Sequence, residues 1–190
     1  MNHTLKWGAA LAALIAAASV LAQGASPYSG QETRDVKALS ENQIAGLLAG
    51  KGMGYAKAAE LNGFPGPLHV LELAEKLELS DEQRAQTEAN FQQMQADAQR
   101  LGAELVAAER RLDALFAQGS ADEASVTGLT DAIGATGAKL RAVHLHAHLR
   151  QTRILSAQQI AQYVSLRGYG HGGHGHHAPQ HHGGHHGGHH

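Results

Sequence analysis

The chain has 190 residues, with 15 Lys and Arg against 17 Asp and Glu and no cysteine. A formal charge of -2 supplies no electrostatic drive toward nucleic acid, so no nucleic-acid partner is expected. Without cysteine there is no disulfide, no thiolate nucleophile and no Cys-type zinc site.

At the N-terminus, Met1 to Lys6 carries positive charge, Trp7 to Ala22 is an apolar run, and Val20-Leu21-Ala22 offers small residues before a cut at Gln23. Residues 1–22 therefore read as an export signal. The alternative is an uncleaved membrane anchor, although the run falls short of the ~20 residues that span a bilayer. Residues 23–38 are polar and irregular, a linker.

Order is expected from Leu39, where Ser40 and Gln43 have the spacing of a capping box and open a short helix that Gly50, Gly52 and Gly54 end. A second short helical piece, Tyr55 to Leu61, stops at Asn62-Gly63. Phe64-Pro65-Gly66-Pro67 is a rigid turn with Pro67 placed as the first residue of the next helix. That helix is expected to run to about Glu78, burying Val70, Leu73, Ala74 and Leu77.

Asp81 to Ile154 forms the main body. Phe91, Met94, Ala98, Leu101, Leu105, Ala108, Leu112 and Leu115 alternate at spacings of three and four. After a short break at Gly119-Ser120 the same rhythm returns in Val126, Leu129, Ile133, Thr136, Leu140, Val143, Ala147 and Ile154. Ser80 with Gln83 caps the first arm, and Ser120 with Glu123 is expected to cap the second. Ser156 with Gln159 caps a last helix ending near Arg167-Gly168, with Leu155 and Ile160 as a hydrophobic staple. So short a break makes the arms antiparallel. The fold class is all-α: a long antiparallel helical hairpin with shorter flanking helices, residues 39–168, followed by a tail, residues 169–190. With one Trp, three Phe and four Tyr the core is thin, and a homodimer is expected to cover the open face.

Leu-Ser-x-x-Gln thus occurs three times, each at a helix start. The pair at 79–83 and 155–159, flanking the long hairpin in an exported, cysteine-free chain, resembles the periplasmic LTxxQ (Spy/CpxP/ZraP) family, with Ser in place of Thr. The run Asn62 to Leu73 is similar to its CnrX-like heavy-metal sensor branch. The resemblance covers roughly residues 39–168. It implies a four-helix hooked bundle in the periplasm that serves in metal resistance or envelope stress. It also implies a membrane-bound signalling partner or unfolded client proteins.

Histidine is the chemistry available. Ten of 15 histidines fall in the last twenty positions: His171, His174, His176, His177, His181, His182, His185, His186, His189 and His190. Glycine between them keeps the string pliable, and neutral imidazole suits Ni, Co, Zn and Cu without selecting among them. A cloning tag and a pH-responsive polycation are the blander readings.

Among the ordered histidines, His144 and His148 stand four apart on one helix face. Counting back from the turns in an antiparallel arrangement puts His69 level with Phe91, and Phe91 level with Ala147. His69, His144 and His148 therefore form a candidate metal site, with Glu72 or Met94 nearby. The sensor resemblance supports His69 in particular. Periodicity leaves open whether His144 and His148, or Leu145 and Leu149, face the early helices. Arg150 is expected to pair with Glu88. No Ser-His-Asp, paired-acid or phosphate-loop arrangement has supporting context, so an enzyme is not expected. The expected function is sensing or buffering of divalent metal. The alternatives are an ATP-independent holdase and a passive histidine-rich sink.

Overall fold

The computed structural model describes residues 26–169, which contain helices and no strand. Six helices follow one another: α1 Glu41–Leu48, α2 Lys57–Glu60, α3 Pro67–Glu72, α4 Asp81–Ala117, α5 Glu123–Ile154 and α6 Ala157–Leu166. None of the described helices is long and apolar enough to cross a membrane. The apolar run at 7–22 and the histidine tail lie outside the described residues.

The frame is the pair α4 and α5, of 37 and 32 residues. At 1.5 Å per residue they extend about 55 and 48 Å. Gln83 bonds Ile154, Thr87 bonds Gln151 and Asn90 bonds Ala147, so residue numbers rise along one helix as they fall along the other. Met94, Ala98, Leu101, Leu105, Ala108, Leu140 and Ala147 of the expected seam are buried.

Three capping boxes sit where the sequence places them, at Ser40, Ser80 and Ser156. The fourth does not. α5 is capped by Asp122, whose carboxylate accepts from the Ser125 N–H at 2.7 Å. Those hydrogen bonds, from Ser125 backbone and then side chain, hold the Asp122 carboxyl below its usual value. Ser120 belongs to the preceding helix instead: its N–H closes back on Leu115 O at 3.0 Å. A C-terminal closure that ends on Ser120 itself takes it out of reach of an N-cap role.

α3 also ends sooner than expected. Past Glu72 the chain tightens into turns, with Leu73 N–H shared between the carbonyls of His69 and Val70, and reverses at Glu78, whose φ is 50°. The expected stripe survives this, since Val70, Ala74 and Leu77 are buried and Leu73 is partly so. They pack with Leu155, Ile160 and Tyr163, so the Leu155–Ile160 staple is seated in a core it shares with α3.

A second core joins Leu47 of α1 to Ala98, Leu101, Leu105, Val106 and Leu140. α1 docks at Gly102, where a Cβ would run into the Leu47 carbonyl. The 26–38 segment is irregular, as its composition predicts, yet it is fastened: Val36 is fully buried, Asp35 pairs with Arg110, and Lys37 meets Asp113 at 3.0 Å.

The two long-arm Leu-Ser-x-x-Gln motifs do more than cap. Gln83 and Gln159 exchange amide hydrogen bonds of 2.8 and 2.9 Å while each still accepts from its own N-cap N–H. Gln83 also donates to Ile154 O and Gln159 to Leu77 O. Two helix starts 76 residues apart are thereby tied to each other and to the segments that precede them.

Candidate metal centre

The site forms where α2, α3, α5 and the end of α6 meet beside α4. Gly63, at φ 80°, lets the chain turn back after α2, with Phe64 N–H closing on Ala59 O at 3.1 Å. This presents the Phe64 carbonyl to α5. His148 donates from Nδ1 to it at 2.7 Å. A carbonyl oxygen only accepts, so the proton is on Nδ1 and the ring's lone pair, when neutral, is on Nε2. Gly66 makes room for that edge of the ring, because a Cβ there would sit 2.9 Å from Cε1 and 3.1 Å from Nε2.

His69, in the first turn of α3, has its own Nδ1 at 2.9 Å from Glu72 Oε2, again leaving Nε2. His69 and His148 line one cleft of about 680 Å³, together with Met53, Glu60, Met94 and Tyr169. The sequence-derived levelling of His69 with Phe91 and the α5 histidines is consistent with this, since Phe91 lines the same cleft.

His144 is placed differently. It is buried at 2% exposure and stacks on Tyr55, with ring centroids 5.8 Å apart and planes 5° apart. Its Nε2 is buried without a hydrogen-bond partner. Burial, and secondarily the charge of a protonated His148, lowers its pKa. His144 and His148 therefore face inward while Leu149 is 44% exposed, and of the two it is His148 that shares the cleft with His69. Among the described residues no three His, Cys, Asp or Glu side chains converge as they would around a metal ion. The expected triad of His69, His144 and His148 is thus split between a cleft pair and a stacked third ring. His171 to His190 lie outside the described residues.

Glu60 is the residue the sequence reading missed. Its Oε1 accepts from Tyr163 OH at 2.6 Å, Tyr169 OH at 3.0 Å and Arg167 Nε at 3.3 Å. Its Oε2 is buried without a partner and lies 3.7 Å from His148 Nδ1. Burial first, then the bond to Glu60, pushes the Tyr163 hydroxyl pKa far up, so it stays a donor at any ordinary pH. One signal was available: Glu60 is the only acidic residue between Glu41 and Glu72.

Arg150 also departs from expectation. Its Nε donates to Asn90 Oδ1 at 2.8 Å rather than to Glu88. Two residues are about 200° around a helix, so Glu88 points away from the face that Asn90 shares with α5. Asn90 in turn donates to Ala147 O and Gln151, and Gln151 to Thr87, a polar chain buried between the long helices.

The residues lining the cleft thus include two imidazoles, a glutamate with one buried carboxylate oxygen lacking a partner and two thioethers. Compared with known proteins, the chain matches no family model, no curated protein and no solved structure.

Proposed function

We propose that this chain is an exported, periplasmic protein of the LTxxQ type that binds a divalent transition metal, Ni, Co, Zn or Cu, and senses or buffers its excess. In this reading α4 and α5 form a helical hairpin, hooked by the shorter helices into a four-helix bundle that works as a homodimer. The supporting observation is that both cleft histidines have Nδ1 held by an oxygen, Phe64 O for His148 and Glu72 for His69. Metal-binding imidazoles are held in this way, because an acceptor on one nitrogen fixes the ring and the tautomer and strengthens the other as a ligand. A cation held there would tie α3 to α5 and bias the bundle toward one packing, which is what passing a signal to a membrane-bound partner requires. The tail supplies further, less selective imidazoles.

Calorimetric titration of the four metals into the wild-type chain and a His69→Ala/His148→Ala variant tests this. The wild type should show one tight site above a set of weaker ones, and the variant should lose the tight one. A tight site that persists in the variant would overturn the reading.

A holdase function is the second reading, and a specific observation favours it. Leu48, Met53, Leu61, Phe64 and Leu68, on the short helices and their turns, are each more than a third exposed, apolar side chains that an unfolded client can meet. Suppression of client aggregation without metal, measured by light scattering, would favour it over the metal reading.

A further inference from the structure

Most of the cleft that holds His69 and His148 is not imidazole. Its walls are largely apolar and come from four places: Met53 on the turn after α1, Leu61 at the end of α2, Leu68 in α3, and Phe91 and Met94 of α4. Met53, Leu61 and Leu68 are 44%, 54% and 42% exposed, so the mouth is apolar surface facing water, whereas Met94 is buried. The turn is held against α4 at Gly50, whose φ is 66° and where a Cβ would sit 2.9 Å from Gln95 O. A Cβ at Gly52 would meet nothing within 4 Å, which leaves the mouth open beside it.

Two cations stand in the same lining. Lys51 and Lys57 are exposed, and neither meets a carboxylate among the described residues. The only carboxylate that lines the cleft is Glu60, and its Oε1 is taken by Arg167 and by the hydroxyls of Tyr163 and Tyr169. Arg167 offsets that charge, so the two lysines leave the mouth positive. At about 680 Å³ the cleft falls within the range of about 300 to 1,000 Å³ of small-molecule sites, which join apolar walls to a few orienting polar groups. An inserted peptide would bring an N–H and a C=O with every residue and bury them against apolar walls without partners. An alkyl chain carries no such groups.

We propose that this cleft binds a single-chain anionic amphiphile of the fatty-acid class, with its alkyl chain against Phe91 and Met94 and its carboxylate at the mouth near Lys51 and Lys57. Burial of the chain supplies the affinity, and the two ammonium groups select the sign of the head. The inference does not rest on the metal reading, because no imidazole is asked to hold the head.

The test is calorimetric titration of octanoate, decanoate and dodecanoate, below their micellar concentrations, into the full chain at pH 8 with a chelator present. The wild type should bind one equivalent of dodecanoate, and each methylene removed should weaken binding about 4-fold. Dodecylamine should bind roughly 10-fold more weakly than dodecanoate. Lys51→Gln/Lys57→Gln should weaken dodecanoate by roughly 10-fold and remove most of its advantage over the amine. Leu61→Ser/Leu68→Ser, at exposed positions, should weaken both ligands by roughly 10-fold. The inference is overturned if the wild type shows no saturable one-to-one binding, if dodecylamine binds as tightly as dodecanoate, or if both double variants bind dodecanoate as the wild type does. It is overturned equally if an acidic amphipathic peptide binds and dodecanoate does not, which would make the cleft a docking groove for protein. Far-UV circular dichroism checks that each variant is folded. Since the chelator removes metal, failure here leaves the metal reading standing, and loss of that reading leaves this one.

Discussion

The two ends of the α4–α5 pair carry the same heptad-like pattern but are held very differently. Toward Ser80 and Ile154, α4 buries nine residues between Thr87 and Ala108, short helices cover the pair, and Gln83 and Gln159 lock the helix starts together. Toward the Gly119 break, no residue from Glu109 to Lys139 is buried, although Leu112, Leu115, Val126, Leu129 and Ile133 continue the rhythm. Two helices alone leave most of an apolar stripe in contact with water. Burial becomes complete only where a third element closes the seam, and that is also where the histidines and Glu60 are gathered.

The largest expected effect sharpens this contrast directly. Leu140, 2% exposed in the α1-covered core, should cost about 3 kcal/mol when changed to Ala. Leu129, half-buried at a seam position in the uncovered half, should cost distinctly less, roughly 1 kcal/mol. Urea unfolding followed by circular dichroism measures both. Equal losses would mean that the uncovered half is buried in solution, as a homodimer along that face would make it.

Next comes the glutamine lock. Gln83→Ala removes a capping bond and the bonds to Ile154 O and Gln159, and should cost about 2 kcal/mol. Gln159→Ala should cost a similar amount, and the double variant distinctly less than the two losses combined, because they share the Gln83–Gln159 bonds. Strict additivity would show two independent caps and no lock.

An opposite-signed pair uses one substitution in both regions. Gly102→Ala pushes a Cβ into the Leu47 carbonyl and should destabilise by roughly 1 to 3 kcal/mol, undocking α1. Gly134→Ala meets nothing within 4 Å and should stabilise by about 1 kcal/mol through helix propensity. Thermal unfolding of the two variants reads the signs, and a destabilised Gly134→Ala would reveal a partner against that face.

What was legible in advance follows the range of the interaction. Ser40–Gln43, Ser80–Gln83 and Ser156–Gln159 are contacts three residues apart, and the sequence predicts each one. The inward face of α4 is legible for the same reason, since spacings of three and four are local. Ser120 misleads because two local motifs overlap there, and the closure of the preceding helix takes the residue. The seam pattern is silent on coverage: Leu129 and Leu140 read alike, and only the docking of α1, more than 90 residues away in sequence, separates them. Glu60 and its partners Tyr163, Arg167 and Tyr169 are 103 to 109 residues apart, beyond any periodic signal. The heights of His69 and His148 could be counted from the turns, but the rotation that puts His144 on Tyr55 and His148 on Phe64 depends on the packing of α5.

That stacked ring gives the smallest expected effect, and a directional one. His144 has its pKa lowered, by burial first and by His148 second, so the folded state prefers the neutral imidazole. Its contribution to stability is fully present above the unfolded value of about 6.5 and is lost as pH falls through the lower folded value. Acidification should therefore loosen the segment carrying Tyr55, which links α1 to α2, before it disturbs the uncovered half. His144→Phe keeps a flat ring against Tyr55 while removing the Nε2 atom that has no partner. The variant should be at least as stable as wild type at pH 7.5 and should lose less stability than wild type between pH 6.5 and 5, by denaturant titration. Metal affinity is itself pH-dependent, so the comparison is made without added metal. If His144→Phe keeps the full wild-type acid loss, the pH dependence arises elsewhere, and the stack is only a packing contact.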